Sequence, residues 1–374
     1  SVLTVKVPSA LRIASLCHNV SENIPIVVGG EHPTVRPKDL LKSRDVDFVV
    51  RGEGEQTMCE LIGVLSSGKD LKKIDGLSFK KQGRIYHNKD RKLIENLDLL
   101  PDPARSSLAN KDSYRAIDFG LIMGSRGCSY RCAFCPNRNI WRSSVRFRSV
   151  DRVVEEMKLV KQTYSTDYFS FRDYSFSANR VWTMEFCRRL IEDKLDVQWE
   201  CTTRPDLIDE KTISCMKDAG CATVRIGIES GSERILNEIR KDLSLQQVRE
   251  MAQILRRQGL YWSAYFMFGL PTETKEDIQK TLQLIEEIDP PFVTMARFTP
   301  LPGTEMFEAL EREGKIQNEV VNWGEWGNQW LRKGFTAGMN PEKFHETMER
   351  IAERIDAHNR RHKLQTPHPL LRVE

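Results

Sequence analysis

The sequence predicts an α/β chain: a partial doubly wound domain, then a partial (βα)6 barrel, then a small helical C-terminal region. One pattern predicts this architecture: short apolar runs alternate with helical patterns in both halves of the chain. Strands joined by helical crossovers form parallel sheets covered on both faces. The 374 residues are 40% hydrophobic and 29% charged, which excludes a disordered or collagen-like chain. This length predicts two domains and a smaller piece.

The N-terminal region alternates strand and helix. Glycines stand where its strands end, which favours a ligand at the carboxyl edge of a sheet, although plain turns use glycine too. We expect three parallel strands, with further strands of the fold upstream of Ser1, and then a hairpin that turns at Gln82-Gly83. The predicted elements are strands over 1–5, 24–30 and 47–55, helices over 9–20 and 55–65, and the hairpin over 76–87.

From residue 117 the strand and helix alternation resumes and yields six βα units, which favours a parallel barrel with its chemistry on the loops after the strands. The predicted strands are 119–123, 167–171, 197–202, 222–228, 261–268 and 292–298. An amphipathic helix is predicted near 341–363. The predicted domains are therefore 1–89, a linker over 90–116, the barrel over 117–315 and the C-terminal region over 316–374.

Charge and cysteine usage limit the functional classes. The net charge is +4, too weak a bias to argue for a nucleic-acid partner. No apolar run approaches the roughly 18 residues of a membrane span, and no signal peptide is recognisable. Nine cysteines without such a signal predict a reducing compartment, the cytoplasm. Six of them lie scattered in apolar contexts and are expected to be packing residues.

The remaining three cysteines form a compact motif directly after the first barrel strand. Cys128, Cys132 and Cys135 have the spacing C-x3-C-x2-C, and three thiolates this close can hold one metal centre. Soft ligands select zinc or an iron–sulfur cluster. Structural zinc normally takes a fourth Cys or His from a second close pair, and the sequence offers none. Three ligands on a four-iron cluster would leave one iron open.

This motif resembles that of the radical S-adenosylmethionine (SAM) superfamily, including the aromatic Phe134 before the last cysteine. The resemblance implies a [4Fe-4S] cluster on the three cysteines, with Phe134 beside the cofactor. It also implies reductive cleavage of SAM to a 5′-deoxyadenosyl radical. An electron donor such as flavodoxin or ferredoxin would then be a partner. The substrate would be a small molecule or a peptide.

The resemblance extends to the loops after the later strands, where it implies the residues that bind SAM. Asp173 is expected to meet the methionyl amino group and Arg204 its carboxylate. Glu229 and Ser230 suit amino or ribose contacts. Glu273, farther along a loop, is expected to matter less for use of the cofactor than Glu229.

The N-terminal region resembles the cobalamin-binding domains found in one group of this superfamily. The segments SVL at the start, GGEHPT and VVRGEGE carry the likeness, while the signature with the cobalt-ligating histidine would lie before Ser1. The implied cobalamin-binding residues are Ser1, Leu3, Gly29, Gly30, Gly52 and Gly54.

These resemblances imply a cobalamin-dependent radical SAM methyltransferase that acts on an unactivated carbon. The alternative within the same group is an oxidative cyclase or another radical enzyme that transfers no methyl group. From a different class, the chain could be a non-catalytic iron–sulfur or zinc scaffold. Formation of 5′-deoxyadenosine by the reduced protein would separate the enzymes from the scaffold. The sequence leaves the substrate unidentified.

Overall fold

The structure, a computed structural model, describes residues 1–68, 70–317, 321–327, 334–336 and 339–362. The chain divides into two compact units, each made of several stretches of sequence. The first comprises 1–95, 131–143 and 299–332, and the second comprises 96–130, 144–298 and 333–374. The linear domain boundaries stay a prediction, and parts of the predicted C-terminal region lie outside the described residues.

The secondary structure is as follows. The strands are β1 (Val27–Gly29), β2 (Phe48–Val50), β3 (Leu77–Lys81), β4 (Arg84–His87), β5 (Leu121–Ile122), β6 (Ser125–Gly127), β7 (Val145–Phe147), β8 (Tyr168–Phe171), β9 (Gln198–Thr203), β10 (Cys221–Glu229), β11 (Tyr261–Phe268) and β12 (Phe292–Arg297). The α-helices are α1 (Val7–Val20), α2 (Glu31–Val35), α3 (Pro37–Leu41), α4 (Glu55–Ser67), α5 (Asn137–Trp141), α6 (Val150–Tyr164), α7 (Arg180–Glu192), α8 (Glu210–Asp218), α9 (Glu233–Glu238), α10 (Leu245–Gln258), α11 (Lys275–Ile288), α12 (Glu305–Arg312) and α13 (Pro341–His362).

The sheet of the first unit has the order β1-β2-β3-β4. β1 and β2 pair in parallel, and their carboxyl ends carry the glycines singled out above. β3 pairs antiparallel with both neighbours, and the predicted hairpin is confirmed, with Gln82 and Gly83 at φ 51° and 75° in its turn. The third parallel strand expected here is not found among the described residues.

The strand expected over residues 1–5 is wrong. Thr4–Lys6 is a 3-10 turn, and α1 begins immediately afterwards with Pro8 in its first turn. A short β-branched run cannot be assigned from its pattern alone, whereas proline is well suited to the first turn of a helix. The residues before the turn are extended, and the Val2 N–H donates to the Gly29 carbonyl at 2.7 Å, beside the end of β1.

The second unit contains the six predicted barrel strands, each within two residues of its predicted bounds. They form one parallel sheet in the order β5-β8-β9-β10-β11-β12, so strands that follow one another along the barrel also pair. Their apolar side chains pack against α6, α7, α8, α10, α11 and α13 in one large core. Of the six scattered cysteines, Cys187, Cys201 and Cys221 are buried in this core, which confirms their expected packing role. Cys17 and Cys215 are only partly buried, and for the exposed Cys59 the expected packing role is wrong. The partial (βα)6 barrel is confirmed.

Side chains cover both free edges of this sheet. Arg105 donates to the carbonyls of Phe119 and Leu121 along the β5 edge, at 3.1 and 2.8 Å. At the β12 edge, the Asn359 side-chain amide pairs with Val293 as a neighbouring strand would, at 2.8 and 2.9 Å. Unpaired backbone groups at a sheet edge invite association with other chains, and these contacts satisfy the Leu121 carbonyl and both backbone groups of Val293. Among the described residues, no helix is long and apolar enough to cross a membrane.

Candidate cluster and cofactor site

The cysteine motif occupies the loop between β6 and α5. Cys128 directly follows the last residue of β6 and belongs to the second unit, whereas Cys132 and Cys135 belong to the first. The Cys135 N–H donates to the Cys132 carbonyl at 3.1 Å, which closes a turn between them. All three thiol-bearing residues are partly buried. Sequence analysis did not predict the β6–β7 ribbon that carries this loop.

Two of the cysteines line one cavity within the first unit. Cys132 and Cys135 face a space of about 240 Å³, and Phe134 between them is partly buried. Asn139 closes one wall by donating to the Gly303 carbonyl at 2.8 Å. Two thiols at one cavity, with the third ligand a few residues upstream on the same loop, are a donor set that fits a three-cysteine iron–sulfur cluster.

Asp173 lies after β8 and anchors the strand that leads to the cysteine loop. It is 3% exposed and accepts hydrogen bonds from the Gly124 N–H, at 3.0 Å, and from the Ser125 hydroxyl. Burial raises the pKa of Asp173 to about 6. Its contact with a methionyl amino group stays a prediction. The structure shows the carboxyl oxygens holding the backbone just ahead of Cys128.

Arg204 ties the cysteine loop to the strand ends within the second unit. Its guanidinium stacks 3.5 Å from the ring centre of Tyr130, which lies between the first two cysteines in sequence. It also donates to Asp206 at 2.9 Å and to the Lys241 carbonyl at 2.6 Å. The Tyr130 hydroxyl donates to Asp206 at 2.9 Å, and burial raises the pKa of Tyr130 to about 12. Arg204 is thus fixed in position, while its contact with SAM stays a prediction.

Glu229 and Ser230 form the turn at the carboxyl end of β10. Glu229 adopts φ 73°, a left-handed conformation that is strained for a residue with a side chain, at an irregularity in the pairing with β11. Its carboxylate accepts from the Lys241 ammonium at 2.8 Å. Ser230 is fully buried, 3.2 Å from the Thr281 hydroxyl. Glu229 is the more accessible of the two, and both SAM contacts stay predictions.

Glu273 lies in the loop between β11 and α11, as expected, but it is only 1% exposed. One carboxyl oxygen accepts from the Gly269 N–H at 2.6 Å, and burial raises the pKa of Glu273 to about 8. No pattern in the sequence shows that a backbone turn will enclose a carboxyl group. Glu273 is therefore a poor exposed control for Glu229.

A buried polar cluster on one face of the sheet escaped sequence analysis. Glu200 accepts from the Tyr168 and Ser170 hydroxyls at 3.0 and 2.6 Å, and it pairs with Arg225. Burial and the Glu200 carboxylate raise the pKa of Tyr168 well above its usual range. Polar residues at alternate positions in otherwise apolar strands were the available signal. The cluster gives this face of the barrel charged and hydroxyl groups.

The glycines of the first unit lie together at the carboxyl ends of β1 and β2. A Cβ added to Gly30 would lie 2.6 Å from the Ser1 hydroxyl oxygen and from the Val2 nitrogen, so the SVL and GG segments are in contact. Gly30 has φ +116°. Leu3 is 48% exposed. The structure thus brings together the segments that carry the cobalamin resemblance.

The neighbouring glycine turn is open on one side. Gly52 has φ +69° with no heavy atom within 4 Å of an added Cβ, while a Cβ on Gly54 would lie 3.3 Å from Val50. Thr34 joins this turn to the first one, because it donates to the Gly30 carbonyl at 2.7 Å and accepts from the Gly52 N–H at 2.9 Å. A glycine with empty space beside it fits a large ligand at the sheet edge.

The fold and the cysteine loop define the class of protein. The chain matches the radical SAM superfamily family model over residues 122–285 and the B12 binding domain family model over residues 1–62. The chain therefore carries a radical SAM domain and a B12 binding domain. The cofactors that this pair of domains implies are a [4Fe-4S] cluster, SAM and cobalamin.

Two curated proteins match this chain over most of its length. The chain is 35% identical over 302 residues to the uncharacterized methyltransferase PH0819 of Pyrococcus horikoshii, covering 80% of this chain and 66% of that protein. It is 28% identical to the anaerobic magnesium-protoporphyrin IX monomethyl ester cyclase of Rubrivivax gelatinosus, covering 83% of this chain and 57% of that protein. The chain therefore spans less than two thirds of the length of these relatives.

A solved structure shows the same fold. It is the radical SAM methyltransferase TsrM from Kitasatospora setae, with cobalamin and a [4Fe-4S] cluster bound. The TM-score is 0.75 at 17% identity, and the match covers 89% of this chain and 73% of that chain.

Proposed function

We propose that this protein is a cobalamin-dependent radical SAM methyltransferase that methylates an unactivated carbon of a small molecule or peptide. One observation carries the proposal. A loop with three closely spaced cysteines follows the first strand of a parallel six-stranded sheet, in a chain that also has an open glycine edge at its N-terminal sheet. The first feature suits a cluster with an open iron, and the second suits a large flat ligand.

The proposed roles follow from the positions of the side chains. Cys128, Cys132 and Cys135 would hold the cluster, which when bound would supply the electron for cleavage of SAM, and cobalamin would supply a carrier for the methyl group. Asp173 holds the backbone before the loop in place. Arg204 and Glu229, each held by an oppositely charged partner, bind the charged ends of the methionyl group without having to reorganise.

The proposal includes an electron donor such as flavodoxin or ferredoxin. Such donors are acidic, and exposed Arg131 next to Cys132 would attract them. A donor that depends on the Arg131 charge should lose affinity when Arg131 is replaced by Glu.

A reducing compartment such as the cytoplasm suits both the donor and the cluster. In the structure the six scattered cysteines form no disulfide bonds.

A second candidate is a ring-forming oxidative cyclase, favoured by the 28% identity to the cyclase of Rubrivivax gelatinosus. The two reactions differ in their by-products. Methyl transfer by the proposed route converts one SAM to S-adenosylhomocysteine and cleaves another to 5′-deoxyadenosine. The cyclase route needs only the cleavage of SAM to 5′-deoxyadenosine.

The test measures both by-products from one incubation. Anaerobically reconstituted protein would be reduced and supplied with hydroxocobalamin and with SAM labelled in its methyl group. We expect 5′-deoxyadenosine together with S-adenosylhomocysteine, and label recovered on cobalamin. Formation of 5′-deoxyadenosine alone would favour the cyclase. Absence of both products would contradict both radical functions. The variant with all three motif cysteines changed to Ala is the control for cluster-dependent cleavage.

A further inference from the structure

A cluster of two histidines and one carboxylate lies at the end of α13, away from the cysteine loop in sequence. Asp289 caps the C-terminus of α11, and His358 and His362 are one helical turn apart on α13. Their ligand atoms all lie within 4.8 Å of one another. Residues four apart on a helix lie on one face, and the two imidazole ring centres are 5.0 Å apart.

The distances suit a single metal ion. The His362 Nε2 atom lies 3.0 Å from the Asp289 Oδ1 atom, and the His358 Nδ1 atom lies 4.0 Å from the same oxygen. Zinc bonds to nitrogen and oxygen are about 2.0–2.1 Å, so two ligands of a tetrahedral ion lie roughly 3.3 Å apart. Small rotations of the side chains would reach this separation.

The hydrogen bonds of His358 prepare the ring for a metal. Its side chain is 4% exposed, and its Nε2 atom lies 2.7 Å from the Pro290 carbonyl oxygen. A carbonyl only accepts, so Nε2 carries the proton and Nδ1 keeps its lone pair. Metal-binding histidines commonly have their second nitrogen fixed in this way. Arg361, which contacts Nδ1 at 3.3 Å, is exposed and can turn toward solvent.

We propose that Asp289, His358 and His362 bind a divalent transition metal of the zinc type. Imidazole and carboxylate ligands suit this class of ion. The site lies where Asn359 closes the β12 edge, so the metal fixes the last described turn of α13 against the start of that strand. This role is separate from the cysteine loop and from methyl transfer.

The test uses cluster-loaded protein, in which the motif cysteines are occupied, and titrates it with Zn²⁺ by calorimetry. We expect one equivalent bound, with an affinity at least about tenfold weaker in His362→Gln and in Asp289→Asn. Asparagine tolerates the φ of 40° at position 289, so this variant should fold. His345→Gln is the matched control, because His345 lies on the same helix, pairs with Glu349 at 3.5 Å and is not part of the three-residue cluster.

X-ray absorption at the zinc edge provides an independent readout. We expect nitrogen and oxygen neighbours at about 2.0–2.1 Å and no sulfur at about 2.3 Å. Zn²⁺ should also raise the unfolding temperature of the wild type and of His345→Gln, but not of the two ligand variants. A sulfur shell, or equal affinity in His362→Gln and His345→Gln, would overturn the proposal.

Discussion

The two units present opposite kinds of surface at the carboxyl ends of their parallel strands. In the second unit, Arg204 and Glu229 are charged side chains already held by oppositely charged partners, Asp206 and Lys241. In the first unit, the corresponding edge consists of glycines, and the space beside Gly52 is empty. Charged groups fixed in advance suit a small charged ligand, and bare backbone suits a broad ligand. The difference supports the proposal that SAM and cobalamin are bound by different means.

The largest loss in the free energy of unfolding is expected when Arg204 is replaced. Arg204→Ala removes the contacts to Asp206 and to Tyr130 and leaves a carboxylate without its cation in a largely buried place. Breaking a buried pair typically costs about 3–5 kcal/mol. Arg180→Ala, which breaks a pair with Asp209 at the surface, should cost less than about 1 kcal/mol. Urea unfolding of both variants measures the difference, and equal losses would mean that burial does not strengthen the Arg204 contacts.

Variants at Glu229 test whether this residue binds SAM or only stabilises the fold. Glu229→Gln alone leaves the Lys241 ammonium without its carboxylate, and both stability and uncoupled SAM cleavage should fall. Adding Lys241→Met removes the uncompensated charge and should restore most of the stability. Cleavage of SAM, measured as 5′-deoxyadenosine, should stay low in the double variant. Recovery of both properties together would give Glu229 a purely structural role.

Glu273 should make stability depend on pH. Its pKa is raised from 4.5 to about 8, so its contribution is present below pH 4.5 and is lost as the pH rises toward 8. Glu273→Gln should therefore gain stability over the wild type between pH 5 and 8, by a few kcal/mol at about 1.4 kcal/mol per unit. Thermal unfolding across this range measures it. Glu287→Gln, on an exposed part of α11, should show a difference that stays constant over the same range.

The smallest effect concerns the glycine edge. Gly52→Ala and Gly68→Ala place a side chain at nearly the same φ, +69° and +68°, with open space around both. Their backbone strain should match, but only Gly52 lies at the end of a parallel strand. We expect cobalamin affinity to fall about tenfold in Gly52→Ala alone, equivalent to about 1.4 kcal/mol. Hydroxocobalamin absorption retained after desalting measures it, and equal retention by both variants would contradict a ligand at this edge.

The strands of the barrel could be predicted closely from the sequence, because repeated apolar runs separated by helical patterns are compatible with few other folds. The same method failed over residues 1–5, where a short run containing Val2 and Val5 resembles a strand but leads into a helix. It also missed the burial of Glu273 and the partners of Glu200. These depend on contacts between residues far apart in the chain, which no local pattern encodes.

The cysteine motif was predictable because its chemistry depends on spacing within one loop. The positions of Arg204 and Asp173 after strands were also predictable, yet their partners were not. Tyr130 stacking on Arg204 joins residues that are 74 positions apart in number.

The central claim is that the cysteine loop holds a cluster with an iron open to SAM. The most direct measurement is the EPR spectrum of anaerobically reconstituted, reduced protein before and after SAM is added. We expect about four irons per chain and a changed cluster signal when SAM binds. An unchanged signal, or iron content that stays the same when Cys128, Cys132 and Cys135 are all replaced by Ala, would contradict the claim.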